Sequence, residues 1–175
     1  MIDVRQYLEQ LPKFLVKAKK ATYASETALI LPNPERPHHK ELEYSDGELY
    51  YRDSYTGSLQ GSGMEEVRLG SREGPTLWTL AYFGGIVPDL FKGEINQDHK
   101  LFAKRIFKSL KVALNHVPEN APFRGPSELL VSESGLRYEN RFDGDIRRFT
   151  GREKMLFDSH EVFTQDYIGG VIFGK

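Results

Sequence analysis

The chain of 175 residues contains no cysteine. Disulfides, thiolate metal sites and cysteine nucleophiles are therefore excluded. Long apolar runs are also missing. No stretch approaches the ~18 consecutive apolar residues of a membrane-spanning helix. The N-terminus, MIDVRQYLEQLPK, mixes acids and bases and lacks the apolar core of a signal peptide. Neither sign of charge dominates: Lys plus Arg (24) nearly cancels Asp plus Glu (25). No global positive field is left to gather nucleic acid or anionic lipid. These absences lead to the expectation of a cytoplasmic protein without membrane or nucleic-acid partners.

Motifs for common chemistries are missing as well. There is no Walker Lys-Ser/Thr loop and no G-x-G-x-x-G entering a helix. There is no G-x-S-x-G elbow, and Ser132 and Ser134 have no local histidine partner. His38 and His39 stand near Glu41, but adjacent imidazoles seldom converge on one ion without a third fixed ligand. No cofactor and no metal is expected. The lysines and arginine of Lys100 to Lys111 read as a solvated helix face.

Aromatic residues and glycine are plentiful, and they recur in order. The tetrapeptide YFGG (Tyr82 to Gly85) returns as YIGG (Tyr167 to Gly170). Around it the chain is written twice. KELEYSDGELYYRDSYTG, from Lys40, lies over SELLVSESGLRYENRFDG, from Ser127. Glu41, Leu42, Ser45, Leu49, Tyr51 and Gly57 meet Glu128, Leu129, Ser132, Leu136, Tyr138 and Gly144. Further on, Gly63 and Glu65 meet Gly151 and Glu153. Thr79, Tyr82, Gly84 and Gly85 meet Thr164, Tyr167, Gly169 and Gly170. The gaps fall where turns are expected.

Each copy follows a helical segment. LPKFLVKAKKATYA has Pro12 suited to a first turn, with Phe14, Leu15 and Ala18 on one side. DHKLFAKRIFKSLKVALNHV has Asp98 as N-cap candidate, Leu101, Phe102, Ile106, Leu110 and Leu114 at helical spacing, and Pro118 beyond its end. The strands are expected near 40–45, 48–56, 63–69 and 76–83, then near 127–132, 136–142, 151–157 and 161–168. Segments 24–39, 86–97 and 118–126 read as irregular. The expected fold class is α+β: one domain over 1–175, built from duplicated helix-plus-antiparallel-meander units near 12–87 and 98–172. The units are related by a pseudo-two-fold, with both helices on one side of the sheet.

Strand alternation assigns faces. Leu49, Tyr51, Asp53 and Tyr55 share one face, as do Leu136, Tyr138, Asn140 and Phe142. Tyr50, Arg52 and Ser54 fall on the other. Glu65 shares its face with Val67, and Glu153 with Met155. Trp78, Leu80 and Tyr82 match Phe163, Gln165 and Tyr167. A polar group and a carboxylate therefore point among aromatics in both copies, which costs free energy unless each is hydrogen-bonded. Two readings follow. Either Glu65 and Glu153 are tied structurally by N–H groups, tyrosine hydroxyls or an arginine, or they line a cleft.

The stretches KELEYSDGELYYRDSYTG, GMEEVRL, LWTLAYFGG and APFRGP resemble a family of uncharacterised bacterial and archaeal domains, found alone or behind helix-turn-helix modules in regulators. The similarity runs from about Phe14 to Ile172. One departure is visible: SLQGSGMEE lacks the aromatic that the family usually places before the first glutamate. The resemblance implies a sensor or interaction role and carries over no catalytic residue.

The leading expectation is a non-enzymatic, small-molecule-binding or regulatory domain. Its pocket would lie between the two copies and use Tyr51, Asp53, Tyr55, Glu65, Trp78, Tyr82, Tyr138, Asn140, Glu153 and Tyr167. One alternative is acid–base chemistry on a small metabolite by Glu65 and Glu153. The other is a homodimerisation or protein-interaction module.

Overall fold

The computed structural model describes residues 4–91 and 95–172. A short 3-10 turn, Val4–Tyr7, precedes helix α1, Leu11–Ala21. Pro12 sits in the first turn of α1, where its missing N–H costs nothing. Four strands follow: β1 Lys40–Asp46, β2 Leu49–Gly57, β3 Gln60–Leu69 and β4 Thr76–Ile86. Helix α2, Gln97–Leu114, leads into β5 Glu128–Val131, β6 Leu136–Asp145, β7 Arg148–Phe157 and β8 His160–Val171. Among the described residues, no helix is long and apolar enough to cross a membrane.

All eight strands form one antiparallel sheet in the order β1-β2-β3-β4-β8-β7-β6-β5. Each half is a meander, and the last strands of the two meanders pair at the centre. In that central pair Tyr82 stands opposite Tyr167. Trp78 stands opposite Val171 and Ile86 opposite Phe163, so the register is balanced on either side of the two tyrosines.

One face of the sheet carries the core, because period-2 alternation places apolar side chains there in every long strand. Helix α1 buries Leu11, Phe14, Leu15 and Ala18 against Leu49, Tyr51, Val67, Trp78 and Leu80. Helix α2 buries Ala103, Ile106, Leu110 and Ala113 against Leu136, Tyr138, Met155 and Phe163. Two expectations for α2 are corrected. Leu101 is 56% exposed, because the buried stripe passes through Ala103 instead. The N-cap is Asn96, not Asp98. Its extended backbone lets Oδ1 accept the His99 N–H at 2.9 Å, while Asp98 lies inside the first turn.

The opposite face differs between the halves. On the C-terminal half Arg137 and Arg141 are exposed. On the N-terminal half Arg52 is only 2% exposed, and Tyr50 and Ser54 are buried too. Segment 24–39 covers that part: the Leu31 N–H donates to the Glu41 carbonyl at 2.9 Å. The Glu41 carboxylate accepts the N–H groups of Glu35 and Arg36 at 2.9 and 3.2 Å. Arg52 pairs with Glu66 at 2.8 Å and with Glu35. Hydrogen bonds from Arg52 and Arg72 hold the Glu35 carboxyl down at about 2. Glu41 is thus occupied with this segment. Among the described residues, no histidine and carboxylate group is arranged to hold a metal ion.

Candidate functional site

The two in-phase carboxylates meet one cation. Arg124, in the irregular connection before β5, enters the core face and is 6% exposed. Its Nε and Nη2 reach Glu153 Oε1 at 2.9 and 2.7 Å, and its Nη1 reaches Glu65 Oε1 at 3.2 Å. The planar guanidinium presents five N–H donors in a fixed fork and so serves two carboxylates at once. Glu153 also accepts Tyr138 Oη–H at 2.6 Å and Gln165 Nε2–H at 2.9 Å. Glu65 pairs with the buried ammonium of Lys19 from α1. Burial pulls Lys19 down despite Glu65. Burial also opposes the Arg124 charge, but Glu153 and Glu65 outweigh it and hold that group fully protonated.

Asp53 and Asn140 occupy corresponding places beside these acids. Asp53 lies opposite Glu65 and Asn140 opposite Glu153. Tyr82 Oη–H donates to Asp53 Oδ1 at 2.9 Å, and Tyr167 Oη–H donates to Asn140 Oδ1 at 2.8 Å. Each tyrosine crosses the intervening strand to do so, and each crosses it at a glycine. A Cβ on Gly63 would lie 2.3 Å from the Tyr82 ring, and one on Gly151 2.2 Å from the Tyr167 ring. That is the physical link between Gly63 and Gly151, each two residues before a buried glutamate, and the tyrosines of YFGG and YIGG. The Gly pairs themselves serve backbone packing: a Cβ on Gly85 would meet the Leu59 carbonyl oxygen at 2.2 Å, and one on Gly170 the Arg147 carbonyl oxygen at 2.3 Å. Gly151→Ala is expected to destabilise the fold by about 1–3 kcal/mol through overpacking against Tyr167. Thermal or urea melts check this, and an unchanged melt would show that the ring has room to move.

Above this ionic floor lies a cavity of about 340 Å³, lined by residues of both halves. Tyr23, Tyr55, Tyr82, Phe107 and Phe163 form aromatic walls. Asp53, Arg124 and Gln165 supply polar atoms, and Lys40 and Lys111 stand beside them. Burial, then the charge of Glu65, pushes the Asp53 carboxyl up to about 7. The volume lies at the lower end of the range for small-molecule sites, roughly 300–1,000 Å³.

Of the ten residues expected at a pocket, Asp53, Tyr55 and Tyr82 line this cavity. Glu65, Glu153, Tyr138, Asn140 and Tyr167 form the buried network beside it. Tyr51 and Trp78 are 1% and 0% exposed and belong to the α1 core, with Trp78 stacked on Phe149. Tyr23, Phe107, Lys111 and Lys19 are at the site without having been expected there, and so is Arg124 of the APFRGP stretch. Lys19 was findable: it lies eight and four residues after Leu11 and Leu15, on their buried stripe. Arg124 takes the place of the arginine that the structural reading of Glu65 and Glu153 allowed for. A second, broader and shallower depression of about 760 Å³ lies around Phe83, Ile168 and Phe142, which are 62%, 57% and 44% exposed.

Fold and site together define a class: an α+β protein with an antiparallel sheet, two helices on one face, and a cavity over a buried ionic floor. Residues 53–172 match the domain of unknown function DUF5680, and the chain belongs to that family. The matched stretch holds every member of the ionic floor except Lys19. Comparisons with curated proteins and with solved structures found no match.

Proposed function

We propose that this chain is a non-enzymatic, cytoplasmic small-molecule-binding domain of the sensor type, with the cavity between its halves as the ligand site. The observation that carries this reading is a buried polar floor beneath aromatic walls, the combination that orients small ligands. The resemblance to domains fused behind helix-turn-helix modules supports a sensor role. An ancestral duplication within one domain is supported by the ordered identities and by the balanced register about Tyr82 and Tyr167.

The acid–base alternative has less support. Glu65 and Glu153 are 2% and 0% exposed, are committed to Arg124, Lys19, Tyr138 and Gln165, and do not line the cavity. The interaction-module alternative has one observation in its favour, the exposed Phe83 and Ile168 at the sheet centre.

A thermal-shift screen of the full chain against a metabolite library tests the leading reading. At least one compound is expected to raise the melting temperature, as binding to the folded state must. The shift should vanish in Tyr55→Ala and Phe107→Ala variants that remain folded. No stabilising compound, or one indifferent to both variants, would contradict the proposal.

A further inference from the structure

We infer that the cavity takes a small, planar, amphoteric molecule, with an N–H-donating head against Asp53 and an acidic group against Lys40 and Lys111. This deepens the ligand-site reading above and rests on it.

The first observation is an open acceptor. Asp53 is 3% exposed, yet it lines the cavity. Tyr82 occupies Oδ1, and among the described residues Oδ2 accepts no hydrogen bond. The corresponding Asn140 has no such vacancy, because Tyr167 donates to its Oδ1 and its Nδ2 donates to the Gly125 carbonyl at 3.1 Å. A buried acceptor facing a cavity is matched by a donor on the ligand.

The second observation is that the donors of the floor are already turned to its own acids. Each guanidinium nitrogen of Arg124 already serves Glu65 or Glu153, and the Gln165 amide serves Glu153. An anionic group there would meet two carboxylates. With Asp53 ionised, Lys19 and Arg124 are outnumbered by Asp53, Glu65 and Glu153, which leaves one net negative charge.

The third observation is the reverse balance at Lys40 and Lys111. Neither forms an ion pair with a described residue. Lys40 is exposed, and Lys111 Nζ lies 5.3 Å above the Tyr23 ring and 3.4 Å from the Ser25 carbonyl. These cations are available to a carboxylate or phosphate. The walls of the same cavity are flat rings: Tyr23 meets Tyr55 edge-on at 5.7 Å, and Phe107 meets Phe163 edge-on at 6.1 Å. A ring presenting its face or edge to such walls gains the usual aromatic preference.

The test is calorimetric titration of the full chain at pH 8 with 4-amidinobenzoate, benzamidine and benzoate. The expected order of affinity is 4-amidinobenzoate, then benzamidine, then benzoate. Asp53→Asn should weaken both amidines by about tenfold or more and leave benzoate unchanged, the loss of a charged hydrogen bond. Lys40→Gln with Lys111→Gln should bring 4-amidinobenzoate down to the affinity of benzamidine. The inference is overturned if benzoate binds as tightly as the amidines, if Asp53→Asn changes nothing, or if none of the three binds. In those cases a library compound of other chemistry, lost in Tyr55→Ala, would keep the cavity as a ligand site while this ligand class falls. No binder of any chemistry would sink both.

Discussion

Arg124→Met is expected to lower stability by about 3–5 kcal/mol, because it leaves the buried Glu153 without a cation and Glu65 with Lys19 alone. Glu65 would keep Lys19, but Glu153 would keep only the neutral donors of Tyr138 and Gln165. Methionine fills much of the same volume, so the loss reports charge rather than packing. A second substitution separates these causes. Adding Glu153→Gln to Arg124→Met should recover part of the loss, since the amide oxygen still accepts from Tyr138 and no charge is left behind. Urea melts of the single and double variants give the coupling energy directly. If the double variant is simply the sum of two losses, the arginine does not act through Glu153.

The second large effect is a gain. Asp53→Asn should stabilise the protein above neutral pH and be nearly silent near pH 4. The sign follows from linkage. The Asp53 carboxyl titrates at about 7 in the folded chain, against roughly 3.9 in an unfolded one. Between those values the folded state holds more protons, so stability falls as pH rises through the window. The cost is absent below about pH 4 and complete above pH 7, where it reaches roughly 2–4 kcal/mol. The charged and titratable groups around Asp53 are Lys19 and Tyr23 from the α1 side, Tyr51 and Tyr55 on its own strand, Glu65 on β3, Tyr82 on β4, and Arg124. Asparagine already fills the matching place at 140 and accepts the matching tyrosine, so the substitution has a working precedent in the same sheet. Melting temperatures of both proteins from pH 4 to pH 8 check this. Parallel curves across the range would mean that Asp53 titrates normally.

Much of the architecture was legible in the residues. The alternation in LYYRDSY and LRYENRF assigns Leu49, Tyr51, Leu136 and Tyr138 to the core face, because successive side chains of a strand point to opposite sides. The Asp46-Gly47 turn was legible too, with Gly47 at φ 61°. Phe142 shows the limit of alternation: it shares the core face by register, but it lies far enough along β6 to be 44% exposed. The burial of Arg52 was not legible. It depends on segment 24–39 folding back over the sheet, and irregular chain has no period from which its position can be read. The same holds for Arg124, whose partners lie 29 and 59 positions further along or back. The cavity is the least legible feature. It is the space left between Tyr23, α2, Arg124 and the sheet, and no residue encodes empty space.

One guanidinium ties the two halves together through Glu65 and Glu153. Side-chain nitrogen NMR of the full chain at neutral pH measures this most directly. Arg124 should show separate Nη–H signals that exchange slowly with water, with through-hydrogen-bond or close-contact correlations to both glutamates. A single averaged guanidinium signal, exchanging as fast as an exposed arginine does, would contradict it.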